Sequence, residues 1–242
     1  MVLGYYAGVG ASKLDGFPFP EVSSSVNYDL ITSQRDLNRF CRTVGDVSVI
    51  GFDTEFVSED RYRPELCLVQ VAVAGRFAVI DPLTIKNMEP FWELLSTEGR
   101  ETIVHAGRQE LCFCLEAMGK RPVNLFDTQI AAGLIGLEYP AAYGTLLQKL
   151  LSTSLGKGET RTDWRRRPLS ERQIEYAVLD VMHLEPLRNV LVERLEALGR
   201  TAWLRDEMDQ WQSQIEQAEY SGGRRGVEAV ARDELPRQAA LS

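Results

Sequence analysis

Histidine and cysteine are scarce in this 242-residue chain, which has two histidines, His105 and His183, and four cysteines, Cys41, Cys67, Cys112 and Cys114. No C-x-x-C pair occurs, and on a helix the one C-x-C pair points its thiols in different directions, so neither a structural zinc site nor a disulfide framework is expected. A reducing, cytoplasmic setting suits such a chain. No apolar run approaches the roughly 18 residues that span a bilayer. The opening MVLGYYAGVGAS lacks the basic start and unbroken apolar stretch of a secretory signal, so no membrane association is expected. Excess positive charge is missing too: 27 Lys and Arg stand against 35 Asp and Glu, a formal charge of −8, so the chain as a whole is not a generic polyanion binder. Any nucleic-acid contact must come from a local patch. What the chain does have is apolar side chains, 44% of the total, enough for a core in one large domain or two small ones.

Residues 47–52 (VSVIGF), 66–73 and 77–80 are β-branched and apolar, and predict three adjacent strands, the last two a hairpin turning on Ala74-Gly75-Arg76. Ile103-Val104 adds a short fourth strand, 108–118 a helix stopped by Gly119, and Asp127 caps a further helix. Strands mixed with helices define an α/β class with a mixed central β-sheet flanked by helices. Residues 1–26 read as an N-terminal extension and 27–200 as the folded domain. Residues 201–242 read as a helical segment over 203–219 followed by a flexible tail from the Ser-Gly-Gly-Arg-Arg-Gly stretch onward. Between 157 and 172 six basic residues face three acidic ones, a basic loop in an acidic chain. Ser170 and Gln173 then form a capping-box pattern, starting a helix on which Tyr176, Asp180 and Leu184 share a face.

Asp53-Thr54-Glu55 lies where the first strand ends, with both acids on one side of an extended chain. Alone, D-x-E reads as a solvated strand end. The reading changes with a further acid in HAGRQEL, Glu110, and with Tyr176 and Asp180 one helical turn apart, although Tyr176 taken singly is an ordinary core aromatic. The segments IGFDTEFV, CLVQVAV, AVIDPL, IVHAGRQEL, FDTQIAA and ETRTDWRRRPLSERQIEYAVLDV, in that order, resemble the ribonuclease D group of 3′→5′ exonucleases in the DnaQ-like superfamily, tyrosine-containing branch. The third acidic motif, Y-x-x-x-D in its R-T-D-W-x-x-R-P-L context, is the most specific of them.

The resemblance implies an RNase H-like fold. It also implies four carboxylates, Asp53, Glu55, Glu110 and Asp180, holding two divalent ions, with Tyr176 orienting the attacking water. Two Mg²⁺ about 4 Å apart suit in-line phosphoryl transfer, and four carboxylates with two Mg²⁺ or Mn²⁺ sum to zero charge. No small organic cofactor is implied. His183 follows Asp180, so it does not replace Tyr176 as in the histidine branch. His105 is either a hydrogen-bonded structural residue or a neighbour of the site, and Asp127 caps a helix or supports the site from behind. Gln70 either reaches the site or forms a buried hydrogen bond. Arg161, Arg165, Arg166 and Arg167, with Trp164 among them, either hold a single strand near the metals or form a solvated loop with Trp164 packed inward.

One departure stands out: the family carries aspartate where this chain has Glu110, one methylene longer, and Mg²⁺ tolerates misplaced ligands poorly. The expected function is a 3′→5′ exoribonuclease trimming tRNA-type 3′ ends to nucleoside 5′-monophosphates, its partner a single-stranded RNA 3′ end. The alternatives are a DNA exonuclease of the same fold and a catalytically weakened nucleic-acid-binding scaffold. Family members add small helical HRDC domains after the nuclease domain, and a complete one is not expected after Trp211.

Overall fold

Runs of β-branched and apolar residues build the centre of the fold. The computed structural model describes residues 26–58, 63–155 and 162–233, with side chains as far as Ser221. Among these, β1 (Tyr28–Ile31), β2 (Val49–Val57), β3 (Glu65–Val73), β4 (Arg76–Ile80), β5 (Glu101–Val104) and β6 (Leu125–Asp127) form one sheet in the order β1-β4-β3-β2-β5-β6. The β2-β3-β4 pairings are antiparallel, while β1 on β4, β5 on β2 and β6 on β5 are parallel, which makes the sheet mixed. The β3-β4 hairpin turns on Ala74 and Gly75 with φ of 49° and 72°, the two positive values that match the twist of the flanking strands.

The helices are α1 (Gln34–Thr43), α2 (Glu89–Leu95), α3 (Arg108–Met118), α4 (Thr128–Leu134), α5 (Tyr143–Leu151), α6 (Glu171–Met182), α7 (Leu184–Ala197) and α8 (Thr201–Asp233). Side chains of β2 alternate between two helical layers. Phe52 and Phe56 meet Phe91 of α2 and Phe113 of α3, each with ring centroids 5.9 Å apart. Gly51 faces the other way, and a Cβ there would stand 3.1 Å from Leu184 of α7. Asp53 and Glu55 follow Gly51 to the α6–α7 side, and Thr54 follows Phe52 to the α2–α3 side. Burying residues such as Phe52, Phe91 and Leu68 contributes roughly 1.5–3 kcal/mol each and holds both layers on the sheet.

Helix α6 is positioned by two devices. Its start carries the complete capping box, with Ser170 accepting from the Gln173 backbone and Gln173 accepting from that of Ser170. Below it, Ile174, Ala177 and Val178 pack with Cys67, Leu68, Val79 and Trp164 in a second apolar cluster. Ahead of α6, Arg167 grips Asp81 through two bonds of 2.6 and 2.7 Å and donates to the carbonyls of Trp164 and Cys67.

Several elements differ from expectation. β2 runs through Asp53-Thr54-Glu55 to Val57 rather than ending before them, because pairing with β3 from Gly51 to Val57 carries even poor strand formers. The helix bearing Tyr176 and Asp180 stops at Met182, so Leu184 belongs to α7. α8 continues past Tyr220 to Asp233, since extending a formed helix through glycine costs only about 1 kcal/mol per residue. Among the described residues no helix is long and apolar enough to cross a membrane.

Candidate active site

Because β2 pairs with β5 only from Val49 to Gly51, residues 53–55 lie beyond the end of β5, beside the start of α3. The turn that makes this approach is tight. Ala106 has φ of 53°, and a Cβ at Gly107 would lie 2.3 Å from Val104, so only glycine fits. Asp127, buried at the end of β6, holds the turn and the next helix together. Its carboxylate accepts from the backbone of Ala106 (3.2 Å) and Gly107 (2.8 Å), and also from Gln129 (2.7 Å) and Ile130 (3.4 Å) at the start of α4. It is the helix cap expected and the anchor of the α3 turn as well. Glu110, in the first turn of α3, is buried, and its Oε1 accepts from Thr54 Oγ1 at 2.5 Å.

From the opposite layer α6 brings Tyr176 and Asp180, four residues apart on one face of the helix. Ionisation of the four acids is disfavoured. Asp53 is pushed well above the ordinary carboxylate range by burial first, then by the charges of Glu110, Asp180 and Glu55. Glu55 is pushed up to about 8 by burial, Asp180 and Glu110. Asp180 rises to about 6 through burial, held back by the Tyr176 hydroxyl. Glu110 is raised by burial and eased by Thr54. Burial is the first influence on all four, the charges of the other acids add to it at Asp53 and Glu55, and no lysine or arginine is among the leading influences. Such an all-oxygen set fits a hard divalent cation. The carboxylates converge without closing: among the described residues no three acidic, histidine or cysteine groups enclose a point as ligands of a bound ion do.

A cavity of about 170 Å³ opens beside them, lined by Asp53, His105, Tyr143, Tyr176, Asp180 and Leu184. His105 serves in both ways considered for it, since it lines the cavity and its Nδ1 lies 2.9 Å from Thr128 Oγ1. Burial lowers it to about 4, so its ring is neutral near pH 7. Tyr143 is a cavity residue that sequence reasoning missed. Its hydroxyl accepts from the His183 backbone at 3.2 Å and its ring lies 5.3 Å from that of His105. A lone tyrosine with no acid at helical spacing carries no signal. Gln70 pairs across the sheet with Asp53, fully buried, and its amide has no hydrogen-bond partner among the described residues.

The basic loop is smaller than expected. Arg161 lies outside the described residues. Trp164 is 6% exposed and packs 6.3 Å from the Tyr176 ring, so it braces that tyrosine and offers no open face for stacking a base. Arg167 is committed to Asp81 and backbone carbonyls and is not available to a phosphate. Arg165, paired with Asp163 at 3.1 Å, and Arg166 remain exposed.

A mixed sheet with acids on its central strand, facing an acid–tyrosine helix, defines an RNase H-like exonuclease fold. The chain belongs to the 3′-5′ exonuclease family, whose sequence profile matches residues 28–196. It is 42% identical over 184 residues to ribonuclease D of Zymomonas mobilis, an overlap of 75% of this chain and 47% of that protein. The crystal structure of Escherichia coli RNase D, described as an exoribonuclease involved in structured RNA processing, superposes with a TM-score of 0.75 at 35% identity over 79% of this chain and 51% of that one. Brucella melitensis NrnC bound to pGG superposes with a TM-score of 0.66 at 25% identity, covering 90% of this chain and 100% of that one. The chain thus spans about half the length of the ribonuclease D relatives it matches.

Proposed function

We propose that this protein is a metal-dependent 3′→5′ exoribonuclease that removes nucleoside 5′-monophosphates from RNA 3′ ends of the tRNA-precursor type. The observation that carries the reading is the convergence of Asp53, Glu55, Glu110 and Asp180, from three elements, beside a cavity walled by Tyr176. These four acids would hold two Mg²⁺ or Mn²⁺, which when bound supply an activated water and neutralise charge on the leaving oxygen. The Tyr176 phenol, raised by burial and by the charge of Asp180, stays protonated at neutral pH. It therefore orients a water by hydrogen bonding and does not take its proton. Its ring packs against that of Trp164, which holds the water-orienting group in one place. Without a cation a phosphate meets four acids and is repelled.

The test is a time course on 5′-labelled single-stranded RNA with Mg²⁺, Mn²⁺ or EDTA, beside matched DNA. A stepwise RNA ladder abolished by EDTA is expected. Cleavage that survives EDTA, or RNA left intact with both metals, overturns the reading, and faster cutting of DNA selects the DNA exonuclease instead. A second reading, hydrolysis of very short RNA, is favoured by one observation: a structural neighbour at 25% identity is described as bound to pGG. Adding pGG to the same series separates them, since exclusive cutting of the dinucleotide selects the second reading.

The exposed Arg165 and Arg166 are the phosphate contacts of this proposal. Arg166→Ala is expected to weaken RNA binding and to lower the slope of log affinity against log salt by about one. Fluorescence anisotropy at several salt concentrations measures this, and an unchanged slope removes Arg166 from the interface.

A further inference from the structure

Thr54 stands between the two acids of β2 but points to the opposite layer, where α3 delivers Glu110. Both residues are 5% exposed, and the Thr54 hydroxyl donates to Glu110 Oε1 at 2.5 Å. We infer that Thr54 is a positioning residue that fixes the Glu110 carboxylate for divalent-cation binding, compensating for the length of a glutamate at this position. The inference rests on the metal-site reading above and goes beyond it.

The argument is one of reach. A glutamate has one more rotatable bond than an aspartate, so its carboxylate must be tied down to serve as a ligand. The hydroxyl does so at one oxygen, Oε1. An aspartate on the same backbone is shorter by about one C–C bond, roughly 1.5 Å. Its oxygen would stand about 4 Å from the Thr54 hydroxyl, outside hydrogen-bond range. The tie is therefore specific to the glutamate this chain carries. Because Thr54 is covalently joined to Asp53 and Glu55, the same bond sets Glu110 in register with both.

The experiment is Mn²⁺ titration by calorimetry on the wild type, Thr54→Val, Thr54→Ala and Thr54→Ser, with the same Thr54 changes repeated on Glu110→Asp. Loss of the hydroxyl in Val or Ala is expected to weaken Mn²⁺ binding at least about tenfold, as removal of a hydrogen bond that orients a metal ligand does. Serine keeps the donor and is expected to stay within about threefold, while on Glu110→Asp the Val and Ala changes are expected to alter affinity by less than about twofold. Thermal melts in EDTA establish that each variant is folded, and Ala serves if the extra methyl of Val is not accommodated. Unchanged Mn²⁺ affinity in Thr54→Val and Thr54→Ala overturns the inference, and so does an equal loss in both backgrounds, which would make Thr54 a general support of the strand. A wild type that binds no Mn²⁺ overturns the metal-site reading itself, an outcome distinct from either.

Discussion

Asp53→Asn is expected to lower exonuclease turnover by on the order of 10³-fold or more, since its carboxylate is the one most coupled to the other three acids. The same change is expected to raise the melting temperature of the metal-free protein. Burial and repulsion by Glu110, Asp180 and Glu55 all oppose the charge on Asp53, so a neutral amide of the same shape relieves a cost that only a cation otherwise removes. In a domain of this size each ~1 kcal/mol relieved raises the melting temperature by about 2–4 °C. The effect depends on pH with a definite sign. Glu55 and Asp180 titrate near 8 and 6 when folded, against ordinary values of 4.5 and 3.8, so the folded metal-free protein holds protons that the unfolded chain has released. Their contribution to stability is complete below the ordinary values and is lost as pH rises through 6 and then 8. Asp53 is shifted in the same direction, and its share of this loss is absent from Asp53→Asn, so the melting-temperature gap between the variant and wild type in EDTA is expected to widen as pH rises above the ordinary carboxylate value. Scanning calorimetry with and without Mn²⁺ checks both halves, and a variant that melts below wild type in EDTA would contradict the electrostatics.

Asp127→Ala is expected to cost roughly 3–5 kcal/mol in urea denaturation. Its carboxylate serves four backbone donors at the α3 turn and the α4 start, and alanine leaves them without an acceptor in an apolar surrounding. Set against the 5–15 kcal/mol typical of a whole domain, that is a large share. Asp127→Asn keeps one acceptor oxygen and is expected to lose about half as much. A loss under about 1 kcal/mol for alanine would show that water or a shifted turn replaces the carboxylate. Since the turn also aims Glu110, a folded Asp127→Ala protein is expected to bind Mn²⁺ less tightly than wild type.

Much of the candidate site was legible because its spacing is local. Period two places Asp53 and Glu55 together, a four-residue step places Tyr176 and Asp180 together, and the Ser170–Gln173 box marks where their helix starts. The three long strands announced themselves by β-branched runs. β1, β6, α1 and α5 did not, being short or polar enough that only pairing and packing define them. Where partners are distant the reading failed. Arg167 looked like a phosphate contact because its true partner, Asp81, lies 86 residues earlier; for Trp164 the inward-packed reading, one of the two held open, is the one met, and strands β3 and β4 decide it. Tyr143 and the Thr54–Glu110 bond, between residues 56 apart, exist only once α3 and α5 dock beside β2.

The acids of this site do not have equal freedom to vary. Asp53 and Glu55 ride on a strand locked in register against β3, whose side chains leave the backbone at fixed angles, so lengthening either would push its oxygens past their mark. Glu110 hangs from the first turn of a helix that approaches from one end, where a small rotation absorbs an added carbon. Evolutionary drift in carboxylate length should therefore accumulate on the helical side of the site, while the strand acts as its ruler.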